Sequence, residues 1–162
     1  SRLSRKSKLI KPSENKELIE ILAYCLMPNH FHLILKQKVD NGISIFMAKL
    51  LNSYTKYFNI KNNRIGSLFQ GQFKAVHVDS DEQLLHLSRY IHLNPYVSEL
   101  VKDLNSYPWS SYQDYIGKES NEFVSSDEVL AHFSSKKDYE NFVLDQADYG
   151  LTLDKIKHSQ LD

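Results

Sequence analysis

Two histidines separated by a single residue, His30 and His32, are the first candidates for chemistry in this chain. They lie where one short apolar run, residues 21–27, gives way to another, residues 31–35, and the β-branched, aromatic and leucine side chains of both runs are typical of strands. In a strand the two imidazoles would share one face about 7 Å apart, with apolar residues on the opposite face. Such a pair could bind a metal ion, or could simply be two half-buried polar residues on the solvent side of an amphipathic sheet.

A second set of polar side chains, His86, Tyr90 and Asn94, recurs every four residues. These residues fall in a predicted helix that begins at residues 79–82, where serine and acidic side chains suit a helix N-terminus. The helix is predicted to end at Asn94 because the next residue is proline, which disfavours helical backbone in the residue before it. Residues four apart share one helical face, so the set could form a site, or Tyr90 could pack its ring on the sheet and His86 could be a surface histidine.

Three further segments are predicted to support these two groups. Apolar residues at three- and four-residue spacing predict an amphipathic helix over roughly residues 43–58. Residues 68–78 alternate and are predicted as a strand, with His77 on its apolar side as a core histidine. Residues 107–112 hold the only tryptophan, Trp109, and are predicted to pack a turn and a short helix against the core.

The composition describes a globular chain of 162 residues, 41% hydrophobic and 25% charged. It contains one cysteine, Cys25, which excludes a disulfide framework and favours a reducing compartment. We find no apolar stretch long enough to span a bilayer and no signal peptide, so the expected location is the cytoplasm.

The formal net charge of +0 hides a segregation of charge along the chain. Residues 1–118 carry 16 Lys and Arg against 10 Asp and Glu, whereas residues 119–162 carry 4 against 10. The basic part can bind a polyanion because binding responds to local charge. The sequence therefore predicts a main domain over residues 1–118 and an acidic helical segment over residues 119–162, with short helices near 127–133, 137–144 and 151–156.

Four separated motifs, taken together, resemble one family. They are LMPNHFHL at residues 26–33, GSLFQGQFK at 66–74, RYIHLNP at 89–95 and YPWSSY at 107–112. In this order and spacing they resemble the REP-associated tyrosine transposases, which belong to the single-tyrosine HUH transposases of the IS200-like superfamily. The resemblance covers about residues 20–117.

The resemblance implies an α+β fold of the ferredoxin-like HUH endonuclease type, an antiparallel sheet with helices on one face, here followed by a small helical C-terminal appendage. In that family the histidines lie on the central strand and the tyrosine lies on a helix that faces them. Family members usually begin with a strand before the first helix, and residues 1–12 show no strand-like alternation. That strand is expected either to be missing or to lie upstream of residue 1.

The resemblance also implies a role for each group. His30, His32 and Asn94 would bind a divalent cation, Mg²⁺ or Mn²⁺, and Tyr90 would be the nucleophile that attacks a phosphodiester of single-stranded or hairpin DNA. The product would be a 5′-phosphotyrosine, so that the reaction is strand transfer rather than hydrolysis. Candidates for contacts with the DNA backbone are basic side chains of the predicted main domain, namely Lys49, Lys56, Arg64, Lys74 and Arg89.

Two other functions fit the same motifs. The chain could bind DNA hairpins as a regulatory protein without transposition activity, or it could be a nickase of the replication-initiator or relaxase type. Either as a monomer or as a homodimer, the expected partner is DNA and not a membrane.

Overall fold

The computed structural model describes residues 17–147 and residue 150, which form an α+β fold built on an antiparallel strand pair. The fold class expected from the sequence is confirmed. The third helix predicted in the acidic segment lies outside the described residues. In chain order the elements are β1 (Ile19–Leu26), β2 (Phe31–Gln37), α1 (Gly42–Lys61), α2 (Asp81–Val97), a 3-10 turn (Leu104–Ser106), α3 (Tyr112–Tyr115), α4 (Asp127–Leu130) and α5 (Lys136–Leu144).

Strands β1 and β2 form a hairpin, as the sequence predicted. His32 lies on β2, but His30, which was also predicted on a strand, lies in the turn just before it. The turn between the strands is closed by a hydrogen bond from the Met27 N–H to the His30 carbonyl, 2.8 Å long. Past the turn, Leu26 lies opposite Phe31 and Cys25 lies opposite His32. Because directly opposed side chains share one face of a sheet, His32 lies beside the fully buried Cys25.

The other edge of β1 is covered by two short segments that each form a single bridge. Ser110 pairs with Cys25 in antiparallel fashion, and Val124 pairs with Ile21 in parallel fashion. The Leu26 N–H also donates to the Trp109 carbonyl over 2.8 Å. Strand β1 therefore lies in the middle of the structure, and the tryptophan-containing segment is fixed directly to it.

Helix α1 begins at Gly42 and is longer than the sequence predicted. Asn41, the residue before it, adopts left-handed backbone with φ of 59°. A side chain at position 42 would place its Cβ 2.2 Å from the Leu18 carbonyl oxygen, so only glycine allows this close approach. The apolar stripe of α1 is only partly covered, because Met47 is buried while Leu50 and Tyr54 are exposed.

Helix α2 starts as expected, with the Ser80 hydroxyl accepting a hydrogen bond from the Gln83 N–H. The prediction that it ends at Asn94 is wrong, because the helix continues through Pro95 to Val97. Proline lacks an N–H group, but only two helical residues follow it, and its carbonyl still accepts from Leu100. The helix axis is thus preserved across the residues that carry Tyr90 and Asn94.

Two predictions for residues 68–78 are also wrong. This segment forms no strand, because it pairs with no other described segment, and Gly66 and Gly71 interrupt it with φ of 94° and 70°. His77 is not a core histidine, since its side chain is 87% exposed and its Nδ1 lies 2.7 Å from an Asp79 carboxylate oxygen. Alternation of apolar residues indicates a strand only where a neighbouring strand is available.

The core lies between the strand pair and α2 and includes part of the acidic segment. Val129, Tyr139 and Val143 belong to the same buried cluster as Ala23 and Ile91. Helices α4 and α5 correspond to the two predicted short helices, and α5 packs on α2. The division of the chain after residue 118 stays a prediction. Over the described part of the chain, no helix combines the length and apolar character needed to cross a lipid bilayer.

Candidate active site

The side chains of His30, His32 and Tyr90 form one cluster at the end of the hairpin. The ring centroids of His30 and His32 are 4.9 Å apart, and those of His32 and Tyr90 are 5.6 Å apart. Both pairs meet edge to face, at 88° and 76°. Helix α2 thus lies against the face of the strand pair that carries His32, and the structure brings the predicted nucleophile to the predicted metal ligands.

His32 presents an unsatisfied nitrogen to this cluster. Its Nε2 atom is buried and has no hydrogen-bond partner among the described residues. Leaving such an atom unpaired costs about 1–3 kcal/mol, so an unpaired ring nitrogen is a candidate ligand atom. Burial, and secondarily the charge of His30, lowers the pKa of His32 below its usual value. The ring is therefore neutral at pH 7, which is the form that binds metal ions.

His30 is held in a defined orientation by its neighbour Asn29. The Nδ1 atom lies 2.6 Å from the Asn29 side-chain oxygen. Since an amide oxygen only accepts, Nδ1 of His30 donates to it, and in the neutral ring the lone pair is then on Nε2. A second residue that fixes the tautomer in this way is a common feature of histidines that bind metals.

Tyr90 and Asn94 lie one turn apart on α2, and their contacts differ. The Tyr90 side chain is 56% exposed, so its hydroxyl can be reached from solvent. The half-buried Asn94 donates from its side-chain nitrogen to the Tyr90 backbone carbonyl over 3.1 Å, which leaves its Oδ1 atom as the remaining acceptor. No hydrogen bond or ring contact in the described structure joins Asn94 to either histidine, so its role as a third ligand stays a prediction.

The surrounding residues limit which other groups could complete a metal site. Within residues 17–147, no three His, Cys, Asp or Glu side chains are grouped so as to hold a metal ion. Cys25 lies directly across from His32, but burial raises the pKa of its thiol to about 12 and keeps it protonated. A cation held by the two histidines would therefore take its other ligands from amide, phosphate or water oxygens. Such a set suits Mg²⁺ or Mn²⁺.

The predicted DNA-contacting residues are spread over three parts of the molecule. Lys49 and Lys56 are exposed on α1, Lys74 is exposed in the irregular segment after it, and Arg64 donates to the Asn59 side chain over 3.2 Å. Arg89 is instead engaged by the acidic segment, where its guanidinium lies 4.2 Å from the centre of the Phe142 ring. Their contacts with DNA stay predictions.

A second group of polar residues, which the sequence did not single out, lies in the core behind the cluster. His92 is fully buried, with Nδ1 2.7 Å from the Tyr139 hydroxyl and Nε2 2.8 Å from the Ser111 hydroxyl. Tyr139 in turn donates to Ser88 over 3.1 Å. Burial lowers the pKa of His92 to about 3. This network fastens α2 to α5 and to the segment that follows Trp109.

The motif positions gave a partial signal for this network. His92 and Ser111 both fall inside the motifs that resemble the family, but histidine and serine side chains also suit exposed positions, so the sequence alone does not indicate that they are buried. Asn29 was likewise part of a motif, and its contact with His30 follows from the tight turn that places the two side by side.

Comparisons with known proteins identify the family of the chain. The family model described as "Transposase IS200 like" matches residues 3–94. A curated protein of Haemophilus influenzae, described as "Putative REP-associated tyrosine transposase", is 25% identical over 103 residues. That alignment covers 57% of this chain and 58% of the relative, so the chain matches little more than half of that protein's length. No solved structure matches the chain.

Proposed function

Since this chain belongs to the IS200-like transposase family, we propose that it nicks single-stranded DNA and transfers the strand through a 5′-phosphotyrosine on Tyr90. The observation that carries the proposal is the contact between the accessible Tyr90 ring and His32, whose Nε2 atom is buried and has no partner in the part of the chain that the structure describes. A nucleophile and a ligand atom for a cation are thus adjacent, as phosphodiester attack requires.

In the proposed reaction the Tyr90 oxygen attacks the phosphorus in line with the bond to the 3′ oxygen. The new bond joins the tyrosine to the 5′-phosphate, and the bond to the 3′ oxygen breaks. The phenol gives up its proton to solvent, and the departing 3′ oxygen takes up a proton to become a free hydroxyl. Because one phosphodiester replaces another, a second 3′-hydroxyl can reverse the step and complete strand transfer.

His30 and His32 fit the divalent cation that this family uses. The lone pair of His30 is on Nε2 because Asn29 occupies Nδ1, and the lowered pKa of His32 keeps that ring unprotonated. When bound, the cation supplies positive charge to the oxygens of the scissile phosphate. Asn94, one turn after Tyr90, would supply the third ligand through Oδ1.

We propose single-stranded or hairpin DNA as the substrate, as in repetitive sequences that fold back on themselves. Tyr90 and the histidines must reach one phosphate of one strand, and the strand must bend into a site at the end of a hairpin. The exposed Lys49, Lys56 and Lys74 would hold the backbone outside the site.

A covalent-adduct assay tests the proposal. A hairpin substrate with a single-stranded extension is labelled on the 3′ side of the cut in one sample and on the 5′ side in another, and each is incubated with Mg²⁺ or Mn²⁺. We expect the first label to enter a protein–DNA adduct stable to denaturation, and the second to be released with a free 3′-hydroxyl. In Tyr90→Phe, which keeps the ring, we expect DNA binding without an adduct.

Two outcomes would contradict the proposal in different ways. Tight hairpin binding with no adduct in the unaltered protein would favour the regulatory, non-transposing function. An adduct that persists in Tyr90→Phe would mean that another residue is the nucleophile. An adduct that retains the 5′ label would mean that the protein becomes linked to the other side of the cut. The matched control is Tyr57→Phe, which removes a hydroxyl from a tyrosine that is also 56% exposed but lies on α1, and which should form the adduct normally.

A further inference from the structure

An apolar groove of about 440 Å³ opens beside the hairpin turn. Met27 and Tyr107 are buried and form its floor. Its more exposed walls are Leu26, Pro28, Leu100 and Trp109. Trp109, the only tryptophan in the chain, is 61% exposed there, and Leu26 and Leu100 are each 44% exposed. Adjacent apolar side chains left exposed in this way indicate a binding surface rather than packing.

The groove is held rigidly by the strand that carries the site. The Trp109 carbonyl accepts from the Leu26 N–H over 2.8 Å, and the Tyr107 hydroxyl donates to the Leu26 carbonyl over 2.6 Å. Both bonds fix the aromatic residues to the last residue of β1. A backbone that is already fixed loses little further conformational freedom when a ligand binds to the side chains that it carries.

The groove adjoins the candidate active site through the hairpin turn, although His30, His32 and Tyr90 do not line it. Its wall runs from Leu26 through Pro28, and the same turn ends at His30, whose carbonyl accepts from the Met27 N–H. A strand whose phosphate lay at His30 and His32 would therefore have its next residues beside the groove. The described residues that line it carry no charge, so none of these side chains repels a polyanion.

We propose that this groove binds an unpaired nucleobase of the DNA strand, stacked on Trp109, next to the phosphate that Tyr90 attacks. Proteins that bind single strands commonly combine a backbone-tracking surface with exposed aromatic rings on which bases stack. The inference rests on the proposed function, because it takes single-stranded DNA as the substrate. It adds a positioning element for that strand, with Leu100 and Pro28 closing the groove around the base.

Trp109 fluorescence reports on the groove directly because no other tryptophan contributes. The measurement uses the full chain with Tyr90→Phe, so that the strand stays uncut. A single-stranded oligonucleotide of mixed sequence is compared with an abasic strand of equal length, and occupancy is followed separately by anisotropy of a label at the strand end. At saturation we expect strong quenching by the base-bearing strand and little quenching by the abasic strand.

Variants test the same contact through affinity. Trp109→Ala should weaken binding of the base-bearing strand about 5- to 100-fold and leave binding of the abasic strand unchanged. Trp109→Phe should restore most of the affinity, since phenylalanine also stacks. Leu100→Glu, which places a charge in the groove without touching Trp109, should reproduce the loss. The control is Phe123→Ala, which removes a ring that is 57% exposed and packs on Tyr24, and which should change nothing.

Three results would overturn the inference. These are equal quenching by the two strands, unchanged affinity in both Trp109→Ala and Leu100→Glu, and a concentration-dependent change in Trp109 fluorescence without DNA that Leu100→Glu abolishes. The last would assign the groove to a second copy of the chain. If the adduct forms normally alongside any of these results, the proposed function stands and only the groove inference fails. If the base-bearing strand quenches Trp109 but the unaltered protein forms no adduct, the groove inference stands and the proposed function fails.

Discussion

Tyr90 and His92 lie two residues apart on α2, yet they belong to two regions with opposite properties. On one side, Tyr90 is mostly exposed and meets the edge of His32, whose Nε2 atom has no partner among the described residues. On the other side, His92 is fully buried and both of its ring nitrogens are within 2.8 Å of a hydroxyl. Each region therefore contains a tyrosine beside a histidine. The exposed pair, Tyr90 and His32, is available for chemistry, whereas the buried pair, Tyr139 and His92, is fixed by hydrogen bonds.

The difference lies in the hydrogen bonds and not in the residue types. In the core, a neutral His92 protonated on Nδ1 donates to Tyr139, Tyr139 donates to Ser88, and Ser88 donates to the Leu85 carbonyl. That chain leaves none of these groups free for a ligand. At the exposed end, Asn29 contacts His30 and Asn94 donates to the Tyr90 carbonyl, but the Nε2 atom of His32 has no partner within the described part of the chain. The buried Tyr112 hydroxyl in the core also has no hydrogen-bond partner among the described residues, but Tyr112 is only 1% exposed. An unsatisfied ligand atom beside an exposed tyrosine is therefore what distinguishes the candidate site from the core network.

The largest effect should come from the exposed histidines. His30→Ala and His32→Ala should each reduce strand cleavage by about 10³-fold or more, because each removes a ligand of the cation that neutralises the scissile phosphate. Hairpin binding should be largely spared, since recognition is spread over many backbone contacts. Asn94→Ala should be milder, because water can replace a neutral oxygen ligand.

The matched control for these variants is His77→Ala, which removes an exposed histidine far along the chain from the hairpin. Rates would be measured on a labelled single-stranded substrate with Mg²⁺ or Mn²⁺, alongside binding by gel shift. Cleavage at the unaltered rate in His30→Ala or His32→Ala would mean that other residues hold the cation.

The buried histidine should show the opposite pattern. His92→Ala removes a fully buried ring and its bonds to Tyr139 and Ser111, so it should lower the free energy of unfolding by about 2–4 kcal/mol. Cleavage per folded molecule should stay within a few-fold of normal. Urea denaturation gives the first quantity, and adduct formation at a temperature where the variant is folded gives the second. A stable but inactive His92→Ala protein would place His92 in the chemistry.

The stability difference between the unaltered protein and His92→Ala should also depend on pH. His92 has its pKa lowered to about 3 by burial, whereas an unfolded histidine titrates near about 6.5. Above about pH 6.5 the His92 ring is neutral in both the folded and the unfolded chain, so its contribution to the free energy of unfolding is constant. As the pH falls from 6.5 toward 3, only the unfolded chain binds the proton, so the unaltered protein loses up to about 1.4 kcal/mol per pH unit.

Urea denaturation of both proteins at a series of pH values tests this. The variant lacks the ring, so the difference in unfolding free energy should shrink as the solution is acidified, while the carboxylates common to both proteins cancel. A difference that stays constant from pH 7 to pH 4 would mean that His92 is not held neutral in the folded protein.

The smallest effect on activity should come from Cys25, which lies opposite His32 but resembles the core region in its chemistry. Its thiol has a pKa raised to about 12 by burial, and its sulfur lies 3.6 Å from the Met27 sulfur. Cys25→Ala should therefore change cleavage by less than about threefold, at a stability cost of about 1 kcal/mol. Loss of cleavage in a folded Cys25→Ala protein would make the thiol part of the site.

The sequence predicted the parts of this picture that depend on local pattern. Apolar runs located β1 and β2, and three- and four-residue spacing located α1 and α2 with Tyr90 and Asn94 on one face. It failed where the outcome depends on distant contacts. Apolar and polar residues alternate over residues 68–78, but no other described segment pairs with them as a strand. Helix α2 continues past Pro95 because only two helical residues follow the proline.

The candidate site was predictable to a similar extent. The spacing of His30 and His32 indicated a pair, but only the packing of α2 on the strands shows that Tyr90 reaches His32. The same packing leaves Nε2 of His32 without a partner over residues 17–147. His92 and Ser111, 19 residues apart, meet through a contact that no local pattern encodes. The segment around Trp109 packs on the core through Tyr107 and Tyr112, as predicted, but the sequence did not indicate that Trp109 itself would be 61% exposed.

The most direct test of the central claim is to identify which of the ten tyrosines becomes linked to DNA. The adduct formed with a hairpin substrate is digested with a protease and a nuclease, and tandem mass spectrometry locates the residual nucleotide. We expect the modification on Tyr90 alone, because its hydroxyl is accessible and its ring meets His32. A nucleotide found on Tyr139, Tyr115 or any other tyrosine would contradict the assignment of the exposed cluster as the active site.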